Sequence, residues 1–114
     1  GIKRKNDVDE FGFCRKSAAH SIRLVSQLIE LMETGKMTFP RPEADLLLDI
    51  RNGKYKKEEL DIMYKDVVSK AENMKLKSVL RNKPDENFVW SVYSKIVLDY
   101  IKKLNSNIGD IYAI

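Results

Sequence analysis

The amino-acid sequence predicts an all-α protein: a compact bundle of about four principal helices with a short extended connector near residues 36–40. Three observations predict it. Apolar residues recur at three- and four-residue steps through residues 18–32, 60–74 and 89–104, the spacing that stacks side chains on one helix face. Glycine and proline fall where those stretches stop and start, at Gly35, Pro40, Pro42, Gly53 and Pro84. The chain has 114 residues, enough for one domain with one modest core. That domain is placed at residues 13–114, behind a flexible basic lead at residues 1–12.

In the lead, Lys3-Arg4-Lys5 is a short basic cluster of the kind that chain ends leave solvated. Asp7-Val8-Asp9 has the Asp-x-Asp spacing with which two-metal nucleotidyl transfer holds its ions. Its flanks are Asn6 and Glu10 rather than the apolar neighbours of a rigid strand, so it is not read as a metal site.

The first predicted helix opens within Gly12–Leu24 and runs to Thr34, where Gly35 stops it. Ala18, Ile22, Val25, Ile29 and Met32 stack on one face, and Leu24, Leu28 and Leu31 fill a flank. Apolar over about two-thirds of its circumference, it reads as the central, interior helix. Lys16, His20, Arg23 and Gln27 fall on the remaining stripe, within an arc of roughly 60°. Two readings of the stripe stand. It is a solvated helix face, or it lines a groove, because core occupies its flank as well as its back. The stripe has no acid before Glu30, so the usual i,i+4 charge partners are missing. His20 is the only histidine in the chain.

Lys36–Phe39 reads as extended, and Pro40-Arg41-Pro42 as stiff, so that Arg41 is presented in one direction, to solvent or to a ligand. A short second helix from Glu43 to Arg51 is mostly apolar through Leu46, Leu47, Leu48 and Ile50 and reads as buried. Arg51 in its last turn either complements the negative helix end or contacts a ligand. The third helix, from Lys57 to Met74, has Leu60, Met63, Val67, Ala71 and Met74 as its core face. Lys56, just before it, has no side-chain acceptor, so this start is expected to fray. Lys77, Arg81 and Lys83 make the next connector basic. The fourth helix, from Glu86 to Leu104, carries Val89, Val92 or Tyr93, Ile96, Tyr100 and Leu104, widened by Phe88, Trp90, Val97 and Ile101. Trp90 and Tyr93 read as core rather than as a base-stacking platform. Asn105-Ser106-Asn107 ends the helix, and the apolar tail Ile108–Ile114 is expected to dock on the bundle or on a partner.

A net charge of +4 and a pI near 9.1 permit an anionic partner without requiring one. One cysteine excludes an internal disulfide framework and fits a reducing cytoplasm. No apolar run reaches the length of a membrane span, so no membrane partner is expected. No Cys/His cluster has metal-ligand spacing, no nucleophile–base arrangement is defensible, and no Gly-rich phosphate loop is present. No catalytic residue and no metal ligand are therefore assigned to this chain.

The pattern Gly12-Phe13-x-x-Lys16-x-x-x-His20-x-x-Arg23-Leu24 resembles a segment of a predicted nucleotidyltransferase family of bacteria and phages. That family belongs to the polymerase-beta superfamily and is associated with RNA repair. The resemblance continues in order through Glu30–Gly35, Pro40-Arg41-Pro42-Glu43, Leu47–Tyr55 and Glu58-Glu59-Leu60, and more weakly through Lys83-Pro84-Asp85. It covers the family's C-terminal helical half. It implies that a catalytic half, in the same or another chain, supplies the metal-binding carboxylates and the Mg2+, and that this chain alone is inactive. It further implies that Lys16, His20 and Arg23 face the triphosphate of a nucleoside triphosphate, with Arg41 and Arg51 as secondary contacts. A separate reading is RNA binding through Lys3-Arg4-Lys5 and Lys77/Arg81/Lys83. The alternative is a stand-alone helical interaction module, binding protein or nucleic acid, without enzymatic activity.

Overall fold

The computed structural model describes residues 2–104, and all of its regular elements are helices: α1 (Ile2–Phe11), α2 (Arg15–Thr34), α3 (Ala44–Arg51), α4 (Lys57–Asn73) and α5 (Glu86–Leu104). The proposed stop at Asn105-Ser106-Asn107 and the apolar tail lie outside the described residues.

α2 is the central helix, and its packings against α3, α4 and α5 are the principal ones. The reason is the apolar face read above. Ala18, Ile22, Val25 and Met32 are almost wholly buried, and the small Ala19 and Ser21 beside them let neighbouring helices approach closely. One cluster joins Phe13, Ala18 and Ile22 to Ile50, Leu60, Tyr64 and Tyr100. A second joins Val25, Leu28 and Met32 to Ala71, Val89 and Tyr93. The two clusters set directions: α4 runs alongside α2, and α5 runs back against both. Tyr64 and Tyr100 stack with ring centroids 3.5 Å apart. The Tyr64 hydroxyl also shares a 3.1 Å hydrogen bond with Ser21.

Several elements differ from the sequence reading. The lead contains a helix, α1, which ends at Gly12 (φ +83°), whose N–H donates to the Val8 carbonyl. α3 was expected to be buried, but only Ile50 is, and Leu48 is 57 % exposed. An eight-residue helix laid on the surface of α2 turns one side inward and no more. On α4, Tyr64 is buried where the pattern pointed to Met63, which is half-buried. On α5, Phe88 is 70 % exposed and Ile101 is also exposed, so they do not widen the core as expected. The start of α4 is held despite Lys56, because the Glu59 carboxylate accepts the Lys56 backbone N–H at 3.0 Å.

Candidate functional site

α3 runs back along α2. Its start lies by Glu30, where Arg41 is anchored, and its end lies by Arg15, whose guanidinium donates to the Arg51 carbonyl at 3.1 Å. This return path puts Leu47 and Arg51 across from the cationic stripe of α2. Lys16, His20, Arg23 and Arg51 line one cavity of about 250 Å³, with Ala19 and Leu47 completing its lining. No acidic residue lines it. Lys16, Arg23 and Arg51 are exposed, and none of them forms an ion pair with a carboxylate among the described residues. Lys16, His20 and Arg23 of the stripe are exposed, as on a solvated face, and they also border this cavity.

Arg23 and His20 touch. Arg23 Nη2 lies 2.9 Å from His20 Nδ1. A guanidinium has only donors, so Nδ1 is the acceptor in this contact. The pair offers donors and no negative charge.

A second cavity, of about 460 Å³, adjoins the first. Lys16 and Arg51 line both, and Lys3, Asp7, Cys14, Arg15 and Ser17 complete the second. Asp7 is spoken for. Its carboxylate accepts the Arg15 side chain (Nη2 to Oδ1 3.0 Å, Nε to Oδ2 3.1 Å) and the Arg15 backbone N–H at 2.8 Å. The Arg15 side-chain hydrogen bond, helped by its backbone N–H and its charge, holds the Asp7 carboxyl below its usual range against the opposing effect of burial. Cys14 offers α2 no side-chain cap, so Asp7 satisfies its first amide from outside the helix. Arg15 also lies over the Phe11 ring, 4.2 Å from its centroid. Phe11 in turn sits on Gly53 (φ +77°), where a Cβ would come within 2.9 Å of the ring. Arg15 thus ties α1, α2 and α3 together beside the site. Sequence reasoning missed Arg15, whose partners come from separate elements, and read Lys3 only as part of the basic lead and not beside this site.

Arg41 does not join this group. Its side chain is 9 % exposed and ion-paired with Glu43 (Nη2–Oε1 2.9 Å) and Glu30 (Nη1–Oε1 2.7 Å), and Nη1 also donates to the Thr38 carbonyl. It belongs to a different cavity, lined also by Glu30, Glu33 and Glu43. Its structure gives it the role of holding the 36–43 connector to α2. Arg41→Ala is expected to lower the melting temperature while leaving phosphate binding unchanged. Arg41→Lys should rescue little, since an ammonium cannot span two carboxylates as a fork does. The Glu30 carboxyl is held below its usual 4.5 by the Thr38 backbone N–H and then by Arg41. Its contribution to stability is therefore present above pH 4.5 and lost as pH falls through the lowered value. The acid limb of the stability curve should be shallower in Arg41→Ala, and thermal melts across pH 2–5 would check it.

The other singled-out features fall outside the cavity pair. Asp9 is exposed, and among the described residues no group of three His, Cys, Asp or Glu side chains is placed to hold a metal ion. Trp90 is half-buried against the second cluster, edge-on to Tyr93, with Lys75 over its ring. Lys77, Arg81 and Lys83 are exposed on their connector, where Arg81 donates weakly to the Leu76 carbonyl. No helix is long and apolar enough to cross a membrane among the described residues. Comparison with protein-family models, curated proteins and solved structures finds no match, so the reading of this site rests on the chain's own residues.

Proposed function

We propose that this chain forms the phosphate-binding wall of a nucleotide cleft, as the helical half of a nucleotidyltransferase. The observation that carries the reading is the convergence of Lys16, His20, Arg23 and Arg51, from two helices, on one cavity without an acid. Nucleotidyl transfer depends on positioning and neutralising phosphate oxygens. The guanidinium forks of Arg23 and Arg51 suit bidentate phosphate contacts, and Lys16 supplies a point charge. His20 lies against Arg23 on the same wall. In this reading the Mg2+ and the carboxylates that hold it belong to the catalytic half, and no step is routed through the metal. The acceptor class consistent with the family resemblance is RNA, and the single cysteine suits a cytoplasmic setting.

The test is titration with a nucleoside triphosphate, followed by amide chemical shifts. The expected result is shifts concentrated at Lys16, His20, Arg23 and Arg51, with affinity weakened roughly 10- to 100-fold in Arg23→Ala, the loss of one charge-assisted contact. Unchanged spectra at millimolar nucleotide would overturn the reading. They would favour a second one, a non-enzymatic interaction module. Its supporting observation is the exposure of Leu76, Phe88 and Ile62, each more than 60 % accessible.

A further inference from the structure

We infer that the cavity walled by α1 is a second anion seat, and that the two cavities together take a ligand with two or more linked phosphates. This rests on the phosphate-wall reading and extends it to a helix that the sequence reading left out of the domain.

The carrying observation is shared walls. Lys16 and Arg51 line both cavities, His20 and Arg23 line only the first, and Lys3 lines only the second. The first cavity, about 250 Å³, is smaller than the usual range for a whole small-molecule ligand and has room for a phosphoryl group. The adjoining space of about 460 Å³ supplies room for what is attached to it. Its charge suits an anion. The only acid lining it, Asp7, is already neutralised by Arg15 through a bidentate pair, which leaves Lys3, Lys16 and Arg51 in excess.

Two seats with a common wall have a consequence for selectivity. Once one phosphate is held, a covalently linked second one binds at high effective concentration. A single phosphate fills one seat and gains nothing from the other. Lys3 then matters only to ligands long enough to reach it, whereas Arg23 matters to all of them.

The experiment is calorimetric titration of the protein, Lys3→Ala and Arg23→Ala with orthophosphate, inorganic tripolyphosphate and a nucleoside triphosphate, at fixed ionic strength. Lys3 is exposed in the first turn of α1, and alanine is the better helix former there, so the variant keeps its fold. Tripolyphosphate is expected to bind at least about tenfold tighter than orthophosphate, the gain of linking two seats. Lys3→Ala should weaken tripolyphosphate by about three- to tenfold and orthophosphate less than about twofold, while Arg23→Ala should weaken both. Equal affinity for orthophosphate and tripolyphosphate would overturn the second seat and leave the phosphate wall standing. Equal losses of both ligands in Lys3→Ala would do the same. Failure of every phosphate compound to bind would overturn the wall itself. The nucleoside triphosphate should bind at least as tightly as tripolyphosphate; binding tenfold weaker would remove the nucleotide as occupant in favour of a free polyphosphate.

Discussion

Phe13→Ala is expected to destabilise the protein by about 3–5 kcal/mol, the cost of emptying a buried phenylalanine site that cannot collapse. A domain of this size has about 5–15 kcal/mol to lose, so the melting temperature should fall by roughly 10–20 °C. The magnitude follows from where Phe13 sits. It is fully buried in the three-residue link between α1 and α2, packed in the cluster that also holds Ile22, Ile50, Leu60 and Tyr100. It therefore joins contributions from α2, α3, α4 and α5 in one place. Those helices converge too tightly for one to move in without disturbing the rest. Phe88 is the control. It is 70 % exposed, and Phe88→Ala should change stability by no more than about 0.5 kcal/mol. Thermal melts of the two variants decide the matter. A loss below about 1 kcal/mol at Phe13 would mean that the junction repacks and does not hold the bundle.

The same pair shows what was legible in the sequence. Periodicity placed α2, α4 and α5 close to their observed bounds, because a long apolar stripe at helical spacing has one good solution. It found the buried face of α2 at Ala18, Ile22, Val25 and Met32 for the same reason. It did not separate Phe88 from the core of α5, since burial at a helix edge depends on what the neighbouring helix covers. α1 was illegible for a different reason. Only Val8 and Phe11 are apolar after Ile2 in its ten residues, so no stripe exists to read. What anchors α1 is tertiary: the Asp7–Arg15 pair, and Phe11 between Arg15 and Gly53. One local signal was present, Gly12 in the position that closes a helix.

The candidate site divides along the same line. Lys16, His20 and Arg23 share one helix, so their common face followed from spacing alone. Arg51 joined them through the return path of α3, which no local pattern encodes. Arg41 and Arg51 were both expected as secondary phosphate contacts. The carboxylates that claim Arg41, Glu30 and Glu43, come from α2 and from the residue that precedes α3. The nearer acid, two residues on, was in view, but its pairing depended on the fold of the connector.

That contrast gives the second large effect. The double variant Lys16→Ala/Arg51→Ala is expected to weaken phosphate-ligand binding by roughly 10²- to 10⁴-fold, two charge-assisted contacts at about 1.5–3 kcal/mol each. Both residues line both cavities, so every phosphate seat loses two of its cations together. The fold should be nearly indifferent, with a change within about 0.5 kcal/mol, because both side chains are exposed. The one structural bond at Arg51 survives the substitution, since Arg15 donates to its backbone carbonyl rather than to its side chain. Arg41→Ala is the mirror image, losing stability and keeping binding. Isothermal titration with a nucleoside triphosphate, run beside thermal melts, measures both axes on both variants. Retained binding in the double variant would remove phosphate recognition from this face of α2. A double variant that melts as early as Arg41→Ala would show instead that Lys16 and Arg51 hold the bundle, and the site would have to be sought on other residues. The separation of the two effects is what distinguishes a cation kept for a ligand from a cation kept for the fold: the first is exposed among its like, the second is buried among acids.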